Sequence, residues 1–284
     1  MNEVNQLMSQ TTISFIGAGN MARSLIGGLI ADGRDANSIW VSDANKEQLA
    51  NLSAGLPVHT TTSNIEAIEK ANVIILAVKP QMLAQVAEEL REATMGRPVL
   101  FISVAAGVRE TDINRWLGGQ SAIVRTMPNT PALIQTGATA LFANNQVSDA
   151  QRNQAETIMR AVGLALWVDD ENQMDIVTAL SGSGPAYFFL MMEALEQAAT
   201  DLGLPQKTAR LLALQTGFGA TKMALEASDE LAELRRCVTS PGGTTERAVN
   251  SLEDNGIREL FANALKAAKT RSEELAQQFG DNNK

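Results

Sequence analysis

Near the start of the chain stands Ile13-Ser14-Phe15-Ile16-Gly17-Ala18-Gly19-Asn20-Met21-Ala22, an apolar run followed directly by a glycine-rich loop. The apolar run predicts a strand that is buried on both faces. The loop has GxGxxA spacing, in which Gly17 allows a tight turn, Gly19 lets the backbone approach a pyrophosphate, and small Ala22 keeps helix and strand close. We therefore assign the loop to a dinucleotide site, with the anion at the start of the following helix. The residues assigned are Gly17, Ala18, Gly19, Asn20, Met21 and Ala22.

Outward from this loop, apolar runs alternate with amphipathic segments as far as residue 165. The apolar runs predict strands at 13–16, 39–41, 73–78, 99–102 and 122–124. The amphipathic segments predict helices between them, among others at 21–31, 46–52 and 81–91. This alternation predicts an α/β fold with a doubly wound parallel sheet. Residues 1–165 are therefore assigned to a dinucleotide-binding Rossmann domain.

The pattern changes in the second half, where strand-like runs are almost absent and long helical stretches follow one another. The predicted helices are 186–202, 205–227, 230–238, 245–253 and 257–279. Residues 166–284 are therefore assigned to an all-α domain. Its run at 187–192, Tyr-Phe-Phe-Leu-Met-Met, predicts an intertwined homodimer, because a helix that is apolar all round is normally buried on every side. A compact monomeric bundle is the alternative.

The composition excludes several classes of protein. The chain has 284 residues, of which 45% are hydrophobic, and this is enough for two domains with proper cores. Its net charge of −9 argues against a nucleic-acid partner, and no apolar run reaches the roughly 18–20 residues of a membrane span. The single histidine, His59, and the single cysteine, Cys237, exclude an internal disulfide and a metal cluster. Because residues 1–10 show no signal peptide, a cytoplasmic location is expected.

Asp43 follows the second predicted strand, where an acidic side chain can accept hydrogen bonds from the adenosine ribose of NAD. The same carboxylate would repel the 2′-phosphate of NADP, a repulsion that Lys46 or Arg23 could offset. The structural alternative is that Asp43 is the N-cap of the next helix. The cofactor preference therefore stays open at this stage.

Two further strand ends should meet the cofactor, because ligands of a doubly wound sheet lie at the carboxyl ends of its strands. They are Ala77-Val78-Lys79-Pro80 and Ser103-Val104-Ala105-Ala106-Gly107, whose small residues let a nicotinamide ribose approach the backbone. Lys79 is a catalytic acid, a phosphate contact or a solvated lysine at a helix start, and its residue type alone favours the last. The two-proline turn at 125–131 is explained by structure alone.

Two glycine-rich segments, 181–185 and 239–246, interrupt the helical half. Each places hydroxyl side chains and glycines just before a helix, an arrangement that can bind a carboxylate through backbone N–H groups. Simple helix capping by Ser183 or Thr244 is the alternative. The second segment has more hydroxyls and glycines than capping needs, and it therefore favours a substrate-binding role for this domain.

Five motifs occur in order between about residues 12 and 275. They are the glycine loop, residues 77–80, residues 125–131, Leu-Ser-Gly-Ser-Gly-Pro-Ala-Tyr at 180–187 and Ser-Pro-Gly-Gly-Thr-Thr at 240–245. Together they resemble the pyrroline-5-carboxylate reductase family. The resemblance implies reduction of 1-pyrroline-5-carboxylate to L-proline with NADPH or NADH, the last step of proline biosynthesis. It also implies a Rossmann domain, a helical dimerisation domain and, often, assembly into larger rings.

The resemblance also implies particular site residues. Cofactor contacts fall on Asn64, Ala77, Val78, Lys79, Pro80, Ala105, Ala106 and Gly107. Substrate contacts fall on Glu171, Ser240, Gly243, Thr244 and Thr245. The chain departs from the family at two positions. Asp43 stands where a member with NADP contacts has serine, which argues against strict NADPH dependence, and Cys237 stands where some members have an asparagine near the substrate.

A mechanism built mainly on positioning fits these residues. We expect the N–H groups of Gly243, Thr244 and Thr245, with the Ser240 hydroxyl, to hold the substrate carboxylate. The Thr245 hydroxyl would orient the ring nitrogen as the catalytic group, and Glu171 would order a water or favour the iminium. A protonated imine already accepts hydride well, so alignment supplies most of the acceleration.

Two other functions stay open. A β-hydroxyacid dehydrogenase-like oxidoreductase would need Lys222 or Lys207 as its acid and base, and neither lies in a glycine-rich turn. A non-catalytic dinucleotide sensor would need no second anion pocket. The sequence leaves undetermined the choice between NADPH and NADH, the number of subunits beyond a dimer, proline feedback and the range of cyclic imines accepted.

Overall fold

The structure is a computed structural model that describes residues 11–281. The segment examined for a signal peptide, residues 1–10, lies outside the described residues. The described chain divides into two compact units, residues 11–183 with 268–281, and residues 184–267. The predicted boundary after residue 165 falls inside a strand, because the sheet continues to Trp167. Helix and turn residues as far as Ser183 then belong to the first unit.

The first unit is built on an eight-stranded sheet with the order β3-β2-β1-β4-β5-β6-β7-β8. The strands are β1 Ile13–Ile16, β2 Ile39–Ser42, β3 His59–Thr61, β4 Val73–Leu76, β5 Leu100–Ser103, β6 Ala122–Met127, β7 Gly137–Ala143 and β8 Gly163–Trp167. All neighbouring pairs are parallel except β6 with β7. The predicted doubly wound sheet is confirmed, with one difference that the sequence did not predict: β7 and β8 run opposite to the other six strands.

Helices cover the sheet on both faces. Those of the first unit are α1 Asn20–Ala31, α2 Lys46–Ser53, α3 Asn64–Ile68, α4 Leu83–Thr94, α5 Glu110–Trp116, α6 Asp149–Arg160 and α7 Gln173–Val177. Alternate residues of β4 show how the two cores form: Val73 and Ile75 belong to one hydrophobic cluster, Ile74 and Leu76 to the other. This is the alternation that a strand buried on both faces requires.

The second unit is entirely helical. Its helices are α8 Gly184–Asp201, α9 Gln206–Glu226, α10 Leu231–Cys237, α11 Thr244–Asp254 and the first part of α12 Ile257–Asp281. Large apolar side chains of α8 and α9 are exposed on this unit, among them Phe188, Leu195, Leu212 and Phe218. Among residues 11–281, no helix combines the length and the apolar character that crossing a membrane requires.

Candidate active site

The glycine loop joins β1 to α1 in a conformation that requires glycine at its first position. Gly17 has a φ of +106°, a region that residues with a Cβ rarely adopt. A Cβ on Gly17 would also lie 2.5 Å from the carbonyl oxygen of Ala77. The loop therefore packs directly against the end of β4, and both the backbone and its surroundings exclude a side chain.

Gly19 is constrained differently, and its surroundings indicate a ligand. It is the N-cap of α1, and no described side chain caps this helix start. A Cβ on Gly19 would meet no atom of residues 11–281 within 4 Å. The described chain therefore leaves open space beside uncapped N–H groups, which fits a dinucleotide pyrophosphate at a helix N-terminus. Ala22 is fully buried behind the loop, as its predicted packing role requires.

Asp43 holds the glycine loop in place. Its carboxylate accepts hydrogen bonds from the N–H of Ala18 and from the N–H of Asn45, both at 2.8 Å. The N-cap of α2 is Asn45, whose side chain accepts from Glu47 and Gln48, so the interpretation of Asp43 as that cap is wrong. Its predicted contact with the cofactor ribose stays a prediction.

Asn64 lies beside the same strand end. Its side-chain oxygen accepts a hydrogen bond of 2.7 Å from the Ser42 hydroxyl, at the last residue of β2. Its amide group donates to Glu89 at 2.8 Å. The structure thus brings Asn64 next to the residue that precedes Asp43, although 21 positions separate Asn64 from Asp43 in the sequence.

The ends of β4 and β5 lie next to the glycine loop. The N–H of Ala77 donates to the carbonyl of Ile16 at 2.8 Å, and the N–H of Val104 donates to the carbonyl of Leu76 at 3.2 Å. Lys79 is exposed and precedes a short 3-10 turn that begins at Pro80. The predicted cofactor residues of the three strand ends therefore meet at one edge of the sheet, as the doubly wound topology requires.

The loop between β5 and α5 is packed against the C-terminal part of α12. Ala105 is buried, and Gly107 has a φ of +70°. A Cβ on Gly107 would lie 3.4 Å from Leu275 and 3.6 Å from Phe279. These two residues belong to the segment of α12 that the first unit contains.

Glu171, predicted to contact the substrate, binds two groups of its own unit in this structure. Its Oε1 accepts from the N–H of Glu110 at 2.6 Å and from the guanidinium of Arg125 at 2.9 Å. Arg125 is almost fully buried, and this burial lowers the pKa of its guanidinium while the charge of Glu171 opposes the shift. Burial also raises the pKa of the Glu110 carboxyl, against the hydrogen bond from Asn144. The substrate contact of Glu171 stays a prediction.

The Ser240–Thr245 turn starts α11 without help from a capping side chain. Gly243 is the N-cap, and no side chain of the described residues caps it, so the interpretation of Thr244 as the cap is wrong. The N–H of Gly243 donates to the carbonyl of Ser240 at 3.0 Å. The N–H of the preceding Gly242 donates to the Glu246 carboxylate at 2.8 Å. The predicted substrate residues of this turn lie together at the start of one helix.

The other glycine-rich segment is not a turn. Residues Thr178–Gly182 form a π-helix that joins α7 to α8, and the N–H of Ser183 donates to the carbonyl of Thr178 at 2.9 Å. Ser183 itself has helical φ and ψ angles, whereas an N-cap residue has extended ones. The predicted turn and the predicted Ser183 cap are therefore wrong, because Gly182 ends the π-helix and Gly184 begins α8.

Fold and site together define a dinucleotide-dependent oxidoreductase with a Rossmann unit and a separate helical unit. Two family models match the chain: NADP oxidoreductase, coenzyme F420-dependent, over residues 12–107, and pyrroline-5-carboxylate reductase dimerisation over residues 171–275. A pyrroline-5-carboxylate reductase of Pseudomonas aeruginosa is 51% identical over 273 residues, which cover 96% of this chain and all of the relative. The chain belongs to the pyrroline-5-carboxylate reductase family.

Solved structures agree with this assignment. A pyrroline-5-carboxylate reductase from Coxiella burnetii has a TM-score of 0.91 at 50% identity, over 94% of this chain and 98% of that chain. A Plasmodium falciparum pyrroline carboxylate reductase with NADP bound has a TM-score of 0.84 at 28% identity, over 95% of this chain and 99% of that chain. The Rossmann domain and the helical dimerisation domain that the resemblance implies are confirmed.

Proposed function

We propose that this chain reduces 1-pyrroline-5-carboxylate to L-proline, the final step of proline biosynthesis. The observation that carries the proposal is the uncapped start of α11, where no side chain within residues 11–281 acts as the cap although three hydroxyl residues surround it. Relatives named for this reaction match along nearly the whole chain, which supports the same assignment.

The substrate carboxylate is bound at the start of α11. The N–H of Gly243 already donates to Ser240, so the anion relies on the N–H groups of Thr244 and Thr245 and on the Ser240 hydroxyl. The positive end of the helix dipole adds to the attraction, because α11 is 11 residues long. This refines the sequence-based hypothesis, which counted the Gly243 N–H among the donors.

The Thr245 hydroxyl orients the ring nitrogen of the bound imine. Thr245 is the second residue of α11, so carboxylate binding and nitrogen orientation come from one rigid helix start. A protonated imine needs no strong acid, and the described site residues supply alignment more than proton transfer. Glu171 acts on the imine through a water or through its charge.

The dinucleotide, NADPH with NADH also accepted, supplies the hydride when it is bound. The glycine loop would hold its pyrophosphate, Asp43 and Asn64 its adenosine half, and the ends of β4 and β5 its nicotinamide half. The open space at Gly19 and the uncapped start of α1 fit this assignment. Asp43 argues against a strict dependence on NADPH.

The helical unit forms a homodimer. Its matching family model describes dimerisation, and its exposed apolar side chains need a partner of the same chemistry. A second copy of this chain supplies that partner. Assembly into rings and a cytoplasmic location stay predictions of the sequence.

Inhibitor competition tests substrate recognition independently of turnover. L-proline should compete with the imine, whereas pyrrolidine, the same ring without the carboxylate, should not compete at equal concentration. Equal inhibition by both rings would contradict carboxylate binding at α11.

Oxidation of a β-hydroxyacid in place of imine reduction would support the dehydrogenase alternative. Lys222 makes a poor acid and base for that reaction, because it is exposed on α9 and paired with Glu226.

A further inference from the structure

The loop at the end of β5 is followed by a cluster of charged residues that the proposed chemistry does not use. Asp175 lies at its centre and is 1% exposed. One carboxylate oxygen accepts from the guanidinium of Arg109 at 2.6 Å, and the other accepts from the Ser272 hydroxyl at 2.7 Å. Burying a carboxylate is unfavourable unless charged or polar partners compensate, and here two such partners do.

Both partners of Asp175 lie close to the Ala105–Gly107 loop in the chain or in contact with it through their own helix. Arg109 is only two positions beyond Gly107, the last of the predicted nicotinamide contacts. Ser272 lies one helical turn before Leu275 and two turns before Phe279, the side chains that face Gly107. The carboxylate therefore joins the chain just after the loop to the helix segment that packs against the loop.

Neighbouring contacts hold the same chain segment from a second side. The N–H of Glu110 donates to Glu171, which is also paired with the buried Arg125 of β6. Residues 109 and 110 are thus fixed by two carboxylates, both from the segment that contains α7. Gly107 has a left-handed φ, and glycine leaves the backbone free to adopt other conformations, so the loop depends on these anchors to keep its shape.

We propose that Asp175 is a positioning residue that fixes the Ala105–Gly107 loop for dinucleotide binding, through Arg109 on one side and Ser272 on the other. The inference rests on the proposed dinucleotide site but not on the identity of the imine. It gives the C-terminal part of α12 a role in cofactor binding, although no residue of α12 is assigned to contact the cofactor.

The test measures NADPH affinity directly, by quenching of protein fluorescence, alongside the melting temperature. Asp175→Asn keeps the shape and an acceptor for Ser272 but removes the charge that pairs with Arg109. Ser272→Ala removes the other contact, and Ser272→Thr retains the hydroxyl as the conservative variant. Ile158→Val, in the core of α6 and away from the loop, is the control for a general loss of stability.

We expect Asp175→Asn to weaken NADPH binding about tenfold and Ser272→Ala about threefold, with Ser272→Thr near wild type. The KM for NADPH should rise with these values while the KM for the imine stays within twofold. Ile158→Val should leave the dissociation constant unchanged. If the role of these contacts is purely structural, Ser272→Ala should have a lower melting temperature and an unchanged affinity for NADPH. That result overturns the proposal, and it can be obtained even if Asp175→Asn does not fold. If the wild-type protein binds NADPH but does not reduce the imine, that result contradicts the proposed function and leaves the role of Asp175 standing.

Discussion

Asp43 has both a structural contact and a predicted role in choosing the cofactor. Its carboxylate accepts a hydrogen bond from the N–H of Ala18 inside the glycine loop, so it shapes the loop in addition to its predicted contact with the cofactor ribose. A negative charge at this position favours the ribose hydroxyls of NADH and repels the 2′-phosphate of NADPH. The two effects need separate substitutions.

Replacing Asp43 with serine should shift the cofactor preference toward NADPH. We expect the ratio of kcat/KM for NADPH to that for NADH to rise at least about tenfold, roughly 1.4 kcal/mol, because the repulsion disappears. Asp43→Asn is the control that keeps an acceptor for Ala18. Steady-state kinetics with both cofactors measure the ratio, and an unchanged ratio in both variants would show that the charge does not set the preference.

Replacing Thr245 with alanine should impair the chemistry and leave the cofactor site intact. We expect kcat/KM for the imine to fall at least about tenfold, since the ring nitrogen loses its orienting hydroxyl. NADPH affinity should stay within twofold of wild type, and Thr245→Ser should recover most of the activity. Full turnover in Thr245→Ala would remove Thr245 from the mechanism.

In the glycine loop between β1 and α1, the two glycines are required for different reasons. Gly17 is required by the protein's own backbone, whereas Gly19 faces open space within the described part of the chain. The same substitution at the two positions therefore has different consequences.

Gly17→Ala should cost about 1–3 kcal/mol of folding free energy, because alanine is strained at positive φ and its Cβ meets Ala77. Gly19→Ala should keep the wild-type melting temperature but weaken NADPH binding, because the added methyl fills the space left for the pyrophosphate. Thermal unfolding and NADPH titration of both variants separate the effects. Normal NADPH binding by Gly19→Ala would contradict the assignment of the pyrophosphate site.

The elements themselves were predictable where the apolar pattern is strong. Strands β1, β2, β4, β5 and β6 begin within one residue of their predicted starts, because near-continuous β-branched runs mark them. Strand β3 was missed because its three residues, His59–Thr61, are polar and largely exposed. Strand β7 was missed because small residues dominate Gly137–Ala143 and dilute the pattern.

The site was predictable where one motif contains all its parts. The glycine loop and the turn before α11 lie where the sequence placed them. The pairs Arg125–Glu171 and Arg109–Asp175 join positions far apart in the chain, so no local pattern indicates them. The signal that was available is an arginine in the apolar strand β6, since a buried charge requires a partner.

At the scale of the whole molecule, the second unit exposes more large apolar surface than a stable single chain should. Phe188, Leu195, Leu212 and Phe218 are each more than half exposed. Covering the exposed part of each side chain in a dimer would contribute about 1–2 kcal/mol, because part of each side chain is already buried. The large apolar side chains from which the sequence predicts an intertwined dimer are therefore exposed, and they lie on α8 and α9.

Phe218→Glu should dissociate the dimer, because a carboxylate desolvated in an apolar interface is costly. We expect a monomer at micromolar concentration by mass photometry, with most of the activity lost. Met95→Glu is the matched control, since Met95 is 68% exposed in the first unit. A wild-type protein that is monomeric at the same concentration would contradict the dimer.

Measuring the product tests most directly whether this chain converts 1-pyrroline-5-carboxylate to L-proline. Purified protein is incubated with NADPH and the imine, and L-proline is quantified by mass spectrometry beside the absorbance of NADPH. We predict that one molecule of L-proline forms for each NADPH oxidised, and that Thr245→Ala forms L-proline much more slowly. Binding of NADPH with no L-proline above the enzyme-free control would contradict the claim and leave a dinucleotide sensor as the better account.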